Sequence, residues 1–215
     1  MTDSLAEVWA ARCESHVRAA MAGDAAHDVA HVRRVVASAR RLAHAEGADG
    51  LVVVAAAWLH DIVTVAKDSP DRAHASRLAA DAAAGWLRAE GFPDALVPGV
   101  HHAVHAHSFS AGVACTTREA RVVQDADRLD ALGAVGIARL FATAGAMGSA
   151  LMHPDDPFAE TGRTLDDRRY ALDHVEAKLL RLPETMQTAA GRAEAQRRAG
   201  VVRQFVADLR ADLGM

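Results

Sequence analysis

Residues 51 to 59, LVVVAAAWL, are nine consecutive apolar side chains. They constrain the fold more than any other stretch. A helix that is apolar on every side is stable in water only at the centre of a protein, with other elements packed around it. The run is also far shorter than the ~20 residues needed to span a bilayer, so it predicts a buried core helix, continuing to about Val63. That continuation carries a contradiction. His60 and Asp61 follow directly on the apolar run, and burying an ionised carboxylate costs several kcal/mol unless it is paired or bound to a metal.

The rest of the chain reads as helix punctuated by glycine and proline. Hydrophobic residues make up 51% and aromatics only 4%, so alanine, valine and leucine must build the core, and alanine is the strongest helix former. The spacing predicts helices over 5–21, 28–46, 51–63 and 72–90. Another enters through Pro93 and Pro98 and ends near VHHAVHAHSFS, and two more meet near Gly133. Helices over 167–181 and 183–212 complete the pattern. Thr116 and Glu119 have the spacing of a capping box. The stretch GAMGSALMHPDDPFAETGRTLDD has no periodicity and reads as a binding loop or lid. With no repeat, linker or low-complexity tract, the expectation is one all-α domain over residues 1–215.

Composition also narrows the partners. A net charge of −4 gives no reason to expect a nucleic-acid partner. Cys13 and Cys115 stand far apart in no metal-binding spacing, which suits reduced thiols in the cytoplasm. The acidic N-terminal stretch lacks the basic region of a signal peptide. A cytoplasmic protein without a membrane partner, as a monomer or a homodimer, is expected.

Two other helices bring polar groups to the rim of a core face. His31 lies one turn before Val35, on the edge of the stripe formed by Val32, Val35, Val36 and Ala39, and Asp127 lies one turn after Val123. Adjacent helical residues diverge by ~100°, so His60 and Asp61 can straddle a point beside their helix. Two imidazoles and two carboxylates suit Mn, Fe, Co, Ni or Zn. A His–Asp pair hydrogen-bonded to backbone or to arginine would satisfy the same burial. The other His–Asp dipeptide, His27-Asp28, stands at a helix start, where aspartate is a common cap.

The order His31, His60-Asp61, Asp127 resembles the HD-domain metal-dependent phosphohydrolases, and in particular a bacterial subgroup of small stand-alone HD hydrolases. The segments HDVAHVRRV, AAAWLHDIV, AKDSPDRAHAS, HAHSFSAG, EARVVQDADRLDALGAVGIARLF and DHVEAKLLRL carry the likeness, spanning roughly residues 25 to 182. DADRLDALGAVGIAR is its most specific part. The resemblance implies an HD-type helical bundle, followed here by a C-terminal helix over 183–212. It also implies a divalent metal on His31, His60, Asp61 and Asp127, with manganese the first choice and magnesium, cobalt, nickel, iron or zinc as alternatives. The implied reaction is hydrolysis of a nucleoside triphosphate to monophosphate and pyrophosphate, with water activated at the metal attacking phosphorus. Branches with two metals use further histidines, which HHAVHAHS could supply. Other outcomes are a nucleotidase, another phosphomonoesterase or phosphodiesterase, a catalytically silent nucleotide-sensing module, or a hydrolase of C–N or C–O bonds.

Further residues are candidates on this reading. Only two of the 24 basic residues are lysines, Lys67 and Lys178. Lys67, His107, Arg128, His174 and Lys178 are expected to meet the substrate, the His174–Lys178 pair by i,i+4 spacing on one helix face. Asp61 and Asp130 are the catalytic candidates, Asp130 orienting water or accepting a proton. A salt bridge to arginine is the alternative for Asp130.

Overall fold

The computed structural model describes residues 2–20, 29–63, 65, 74–108 and 111–215. The protein is all-α, with one isolated β-bridge among the described residues. It forms two compact units, residues 1–127 and 128–215.

The first unit is built around the apolar run. α3 (Gly50–Leu59) buries every residue from Leu51 to Leu59. It packs against α1 (Thr2–Ala20), α2 (Val29–Glu46) and α5 (Val97–Ala106), while α4 (Ala75–Ala89) packs mainly on α5. Full burial of each valine or leucine contributes about 1.5–3 kcal/mol, so this one helix anchors much of the unit. Its start is fixed by Asp49, whose Oδ1 accepts from the Leu51 and Val52 N–H groups at 2.9 and 3.2 Å. α2 buries Val32, Val35, Val36, Ala39, Leu42 and Ala43. Gly47 follows it at φ +65°, a left-handed position where glycine carries no Cβ penalty.

α3 stops earlier than its hydrophobic pattern predicts. His60 is its C-cap and residues 60–61 form a turn. The Ala57 carbonyl, which a continuing helix would offer to the Asp61 N–H, accepts from His60 Nδ1–H at 2.8 Å. The cap of α6 (Arg118–Leu129) lies one residue beyond the expected capping box. Thr117 Oγ1 accepts from the Ala120 N–H at 3.2 Å, whereas Thr116 bonds His102 and Glu119 accepts from the Asp49 N–H.

In the second unit α7 (Gly133–Ala146) packs on α9 (Ala189–Asp212). The helix expected over 167–181 is reduced to α8 (Asp173–Ala177), followed by a 3₁₀ segment, Leu179–Thr185. Side chains override the helical pattern here. Asp166 Oδ1 accepts from the Arg168 and Arg169 N–H groups, and Ala150 exchanges backbone bonds with Arg169 and Ala171. α9 then starts at a Thr188 cap, not at Pro183.

The segment expected to be a loop or lid is irregular but strongly tied down. Arg163 donates twice to Asp173, at 2.6 Å each, and Asp156 accepts from the Glu160 and Thr161 N–H groups and the Thr161 hydroxyl. Both carboxylates are buried. No single helix among the described residues is long and apolar enough to cross a membrane.

Two glycines of GAVGIAR have steric reasons. Gly133 has φ +75°. A Cβ on Gly136 would lie 2.2 Å from the Ala131 carbonyl oxygen and 2.3 Å from its carbon. Gly136→Ala should therefore destabilise the protein by about 1–3 kcal/mol. Gly200→Ala, in α9 with nothing within 4 Å of the added Cβ, should be neutral or stabilising by up to ~1 kcal/mol. Urea midpoints of the two variants test the pair, and equal effects would contradict the steric account.

Candidate metal centre

Four helices of the first unit bring His31, His60, Asp61, His107 and Asp127 together. His31 stands in the first turn of α2, His60 caps α3 with Asp61 next to it, His107 caps α5, and Asp127 lies near the end of α6. His31 Nε2 lies 3.5 Å from Asp127 Oδ1. His60 Nε2 lies 3.8 Å from that same oxygen and 3.4 Å from Asp61 Oδ2. His107 Nε2 lies 3.5 Å from Asp61 Oδ1.

The two capping histidines are held in the same way. A carbonyl oxygen only accepts, so Nδ1 carries the proton in both the His60–Ala57 bond and the 2.6 Å His107–Val104 bond. Each ring thereby satisfies one of the carbonyls that a helix end leaves without a partner, and Nε2 is turned towards the carboxylates. His60 Nε2 is buried without a hydrogen-bond partner.

Exposure is uneven across the cluster. The His60 side chain is 0% exposed and that of His107 7%, against 41% for Asp61 and 30% for Asp127. The imidazoles form the floor, and the carboxylates border the side open to solvent.

The groups perturb one another strongly. Burial pushes the His60 imidazolium down, but the charges of Asp61 and Asp127 outweigh it and raise His60 above its ordinary 6.5. Burial pushes Asp61 up, and His60 and His107 overcome this to hold it well below 3.8. Asp127 is likewise lowered, burial being outweighed by His31, His60 and His107.

This donor set fits a divalent metal. His31, His60 and Asp127 offer ligating atoms within 4.8 Å of one another, and so do His60, Asp61 and His107. Donors about 2.0–2.2 Å from an ion lie within roughly 4.4 Å of each other, so small side-chain shifts suffice. An unpartnered nitrogen facing two carboxylates is the arrangement a cation relieves. Anchoring the opposite ring nitrogen on a backbone carbonyl is how ligating histidines are oriented.

Among the remaining sequence candidates, His107 belongs to this cluster, and most of the others that the structure describes make contacts of their own. His107, expected to meet substrate, is committed to Val104 and faces Asp61. Of the other histidines of HHAVHAHS, His101 bonds Asp81, His102 bonds Thr116, and His105 packs edge-on against the His101 ring. Lys67 and His27-Asp28 lie outside the described residues. Arg128, Asp130, His174 and Lys178 belong to the second unit. Arg128 donates to the Thr185 carbonyl, buried Asp130 is ion-paired with Arg139, and His174 bonds Asp167 at 3.0 Å. Lys178 is exposed, and its φ of −134° takes it out of the helix, so the expected i,i+4 face ends there.

The HD domain family matches residues 28–132. The YpgQ protein of Bacillus subtilis is 35% identical over 191 residues, 87% of this chain and 84% of that one. The crystal structure of B. subtilis YpgQ in complex with ADP gives a TM-score of 0.76 at 32% identity, covering 97% of this chain and 96% of that chain. An HD-superfamily hydrolase from Bacillus thuringiensis gives 0.75 at 30%, covering 97% and 98%. The chain belongs to the HD-domain superfamily of metal-dependent phosphohydrolases.

In the metal-free protein a proton competes for His60 Nε2. Because the folded value is raised, the stability that this proton adds is complete below 6.5 and is lost as pH rises through the raised value. Metal binding strengthens over the same rise, while Asp61 stays ionised. The increase in Tm produced by Mn2+ should therefore grow between about pH 6 and 8. A shift that stays flat or shrinks over that range would contradict His60 as a ligand.

Proposed function

We propose that the protein is a metal-dependent nucleotide hydrolase that cleaves a nucleoside triphosphate to the monophosphate and pyrophosphate. His31, His60, Asp61 and Asp127 hold the ion, with manganese the expected metal. The observation that carries this reading is the buried, unpartnered Nε2 of His60 set between two carboxylates. The ADP bound to YpgQ supports a nucleotide as the ligand. Matching of nearly the whole chain to that relative supports reading the two units as one functional HD-type domain.

A divalent ion supplies Lewis acidity and a source of hydroxide at neutral pH. The chain's own residues set where this chemistry occurs. His60 and His107, fixed by Ala57 and Val104, hold the buried side of the centre rigid. The part-exposed carboxylates leave the solvent side free for substrate. Phosphoryl transfer depends on positioning and charge neutralisation. We assign the cationic contribution to Lys67, Arg128, His174 and Lys178, and to Asp130 the orientation of water.

Purified, metal-analysed protein should be screened against nucleoside mono-, di- and triphosphates, with phosphate and pyrophosphate measured separately. Pyrophosphate from triphosphates is the expected product. His60→Ala and Asp127→Ala should each lose the bound metal and lower kcat/KM by at least ~10²-fold. Undiminished turnover in excess chelator would overturn the metal-dependent reading. Tight nucleotide binding without product in the presence of Mn2+ would point to a silent sensor.

A further inference from the structure

Three side chains finish the end of α5. His107 donates Nδ1–H to the Val104 carbonyl, Gln124 donates Nε2–H to the Ala106 carbonyl at 2.8 Å, and the Cys115 thiol reaches that same oxygen at 3.7 Å. The last carbonyls of a helix need such partners when its end is buried, and Ala106 is fully buried. Of the three, Gln124 comes from α6, the helix that also carries Asp127.

The Gln124 amide is bonded on one side only. Its Oε1 is buried with no hydrogen-bond partner among the described residues. Turning the amide over would set oxygen against oxygen at Ala106, so its orientation is fixed. A methionine or leucine would fill the same space without burying an unpaired acceptor. Stability alone therefore explains the glutamine poorly, and its place in the fold explains it better. Asp127 follows Gln124 by three residues on neighbouring positions of α6, and His107 follows Ala106 directly. One hydrogen bond thus joins the backbone segments that carry two members of the cluster.

Resting on the metal-centre reading above, we propose that Gln124 is a positioning residue for that centre. Its bond to Ala106 sets the spacing between the end of α5 and α6. It thereby keeps His107 Nε2 facing Asp61 Oδ1 at 3.5 Å, and keeps Asp127 Oδ1 between His31 and His60 at 3.5 and 3.8 Å. Gln124 acts through the backbone of the two helices and not by contact with the ion. Side chains of this outer kind orient ligands that they never replace.

The test compares Gln124→Met with Val100→Ala in the full-length, metal-stripped protein. Methionine matches glutamine in length but donates nothing to Ala106. Val100 is buried in α5, so truncating it weakens the same helix and leaves the Gln124 bond in place. Calorimetry gives the Mn2+ affinity, and nuclear magnetic resonance of isotope-labelled histidine rings gives the tautomers. Circular dichroism checks that each variant folds, and Gln124→Leu takes the place of Gln124→Met should methionine prevent folding. Wild type should carry Nδ1–H on both His60 and His107. Gln124→Met should bind Mn2+ about 10–100-fold more weakly and lose the single tautomer at His107, while His60 keeps its own. Val100→Ala should lower Tm and keep the wild-type affinity and tautomers. A folded Gln124 variant with unchanged affinity and tautomers overturns the proposal. So does an equal loss of affinity in Val100→Ala, which makes the effect one of general stability. If wild type binds no Mn2+, the metal-centre reading falls, and the His107 tautomer in the Gln124 variant still decides for or against the positioning role.

Discussion

The bond on which the site depends is the one His60 Nδ1–H makes to the Ala57 carbonyl at the end of α3. α3 is buried along its length, so its terminal carbonyls have little water to turn to. A ring placed at the C-cap satisfies one of them and stops the helix there. The same bond fixes the tautomer and directs Nε2 away from the helix, towards Asp61 and Asp127. Local backbone satisfaction and the aiming of Nε2 are thus one event. His107 repeats it on α5 with Val104.

This construction explains how the chain tolerates carboxylates beside its most apolar helix. Neither Asp61 nor Asp127 is sealed in, since both side chains keep part of their surface in solvent. The fully buried members are imidazoles, which can be neutral. Burial does penalise Asp61 and Asp127, but the imidazoles around them outweigh it, and part of each carboxylate side chain stays where water, an ion or a substrate can reach it. The mutual perturbation of His60, Asp61 and Asp127 follows from that geometry.

What the sequence made legible was whatever depends on periodicity and long-range burial. The all-helical class, the central position of LVVVAAAWL and the rim positions of His31 and Asp127 all follow from apolar spacing. Side-chain bonds to nearby backbone were not legible, because they leave no period. They stop α3 at Leu59, move the α6 cap from Thr116 to Thr117, and break the expected 167–181 helix around Asp166. His107 belongs to this second class. HSFS marked it as of interest, but only the bond to Val104 turns it towards Asp61. The Arg163–Asp173 pair in the irregular segment is also of this kind, since ten residues of sequence separate two groups that meet at 2.6 Å.

Cations that are already paired differ from those that are not in what they can offer a phosphate chain. Asp130 and Arg139 form an ion pair whose carboxylate is buried, so removing Arg139 would take a counter-charge from a buried anion. The pair therefore acts as a unit, and any role for Asp130 in orienting water must leave Arg139 in place. His174 shares its ring with Asp167, which is 43% exposed, so that partner is exchangeable at little cost. Lys178, exposed just beyond α8, offers an ammonium free of helical constraint. A compact, flexible point charge of this kind can follow a phosphate through changes of charge and position, whereas a guanidinium fork is fixed in its geometry. On the proposed assignment of Lys178 to the phosphate chain, that difference is a physical reason for lysine at this position in a chain whose basic residues are otherwise almost all arginine.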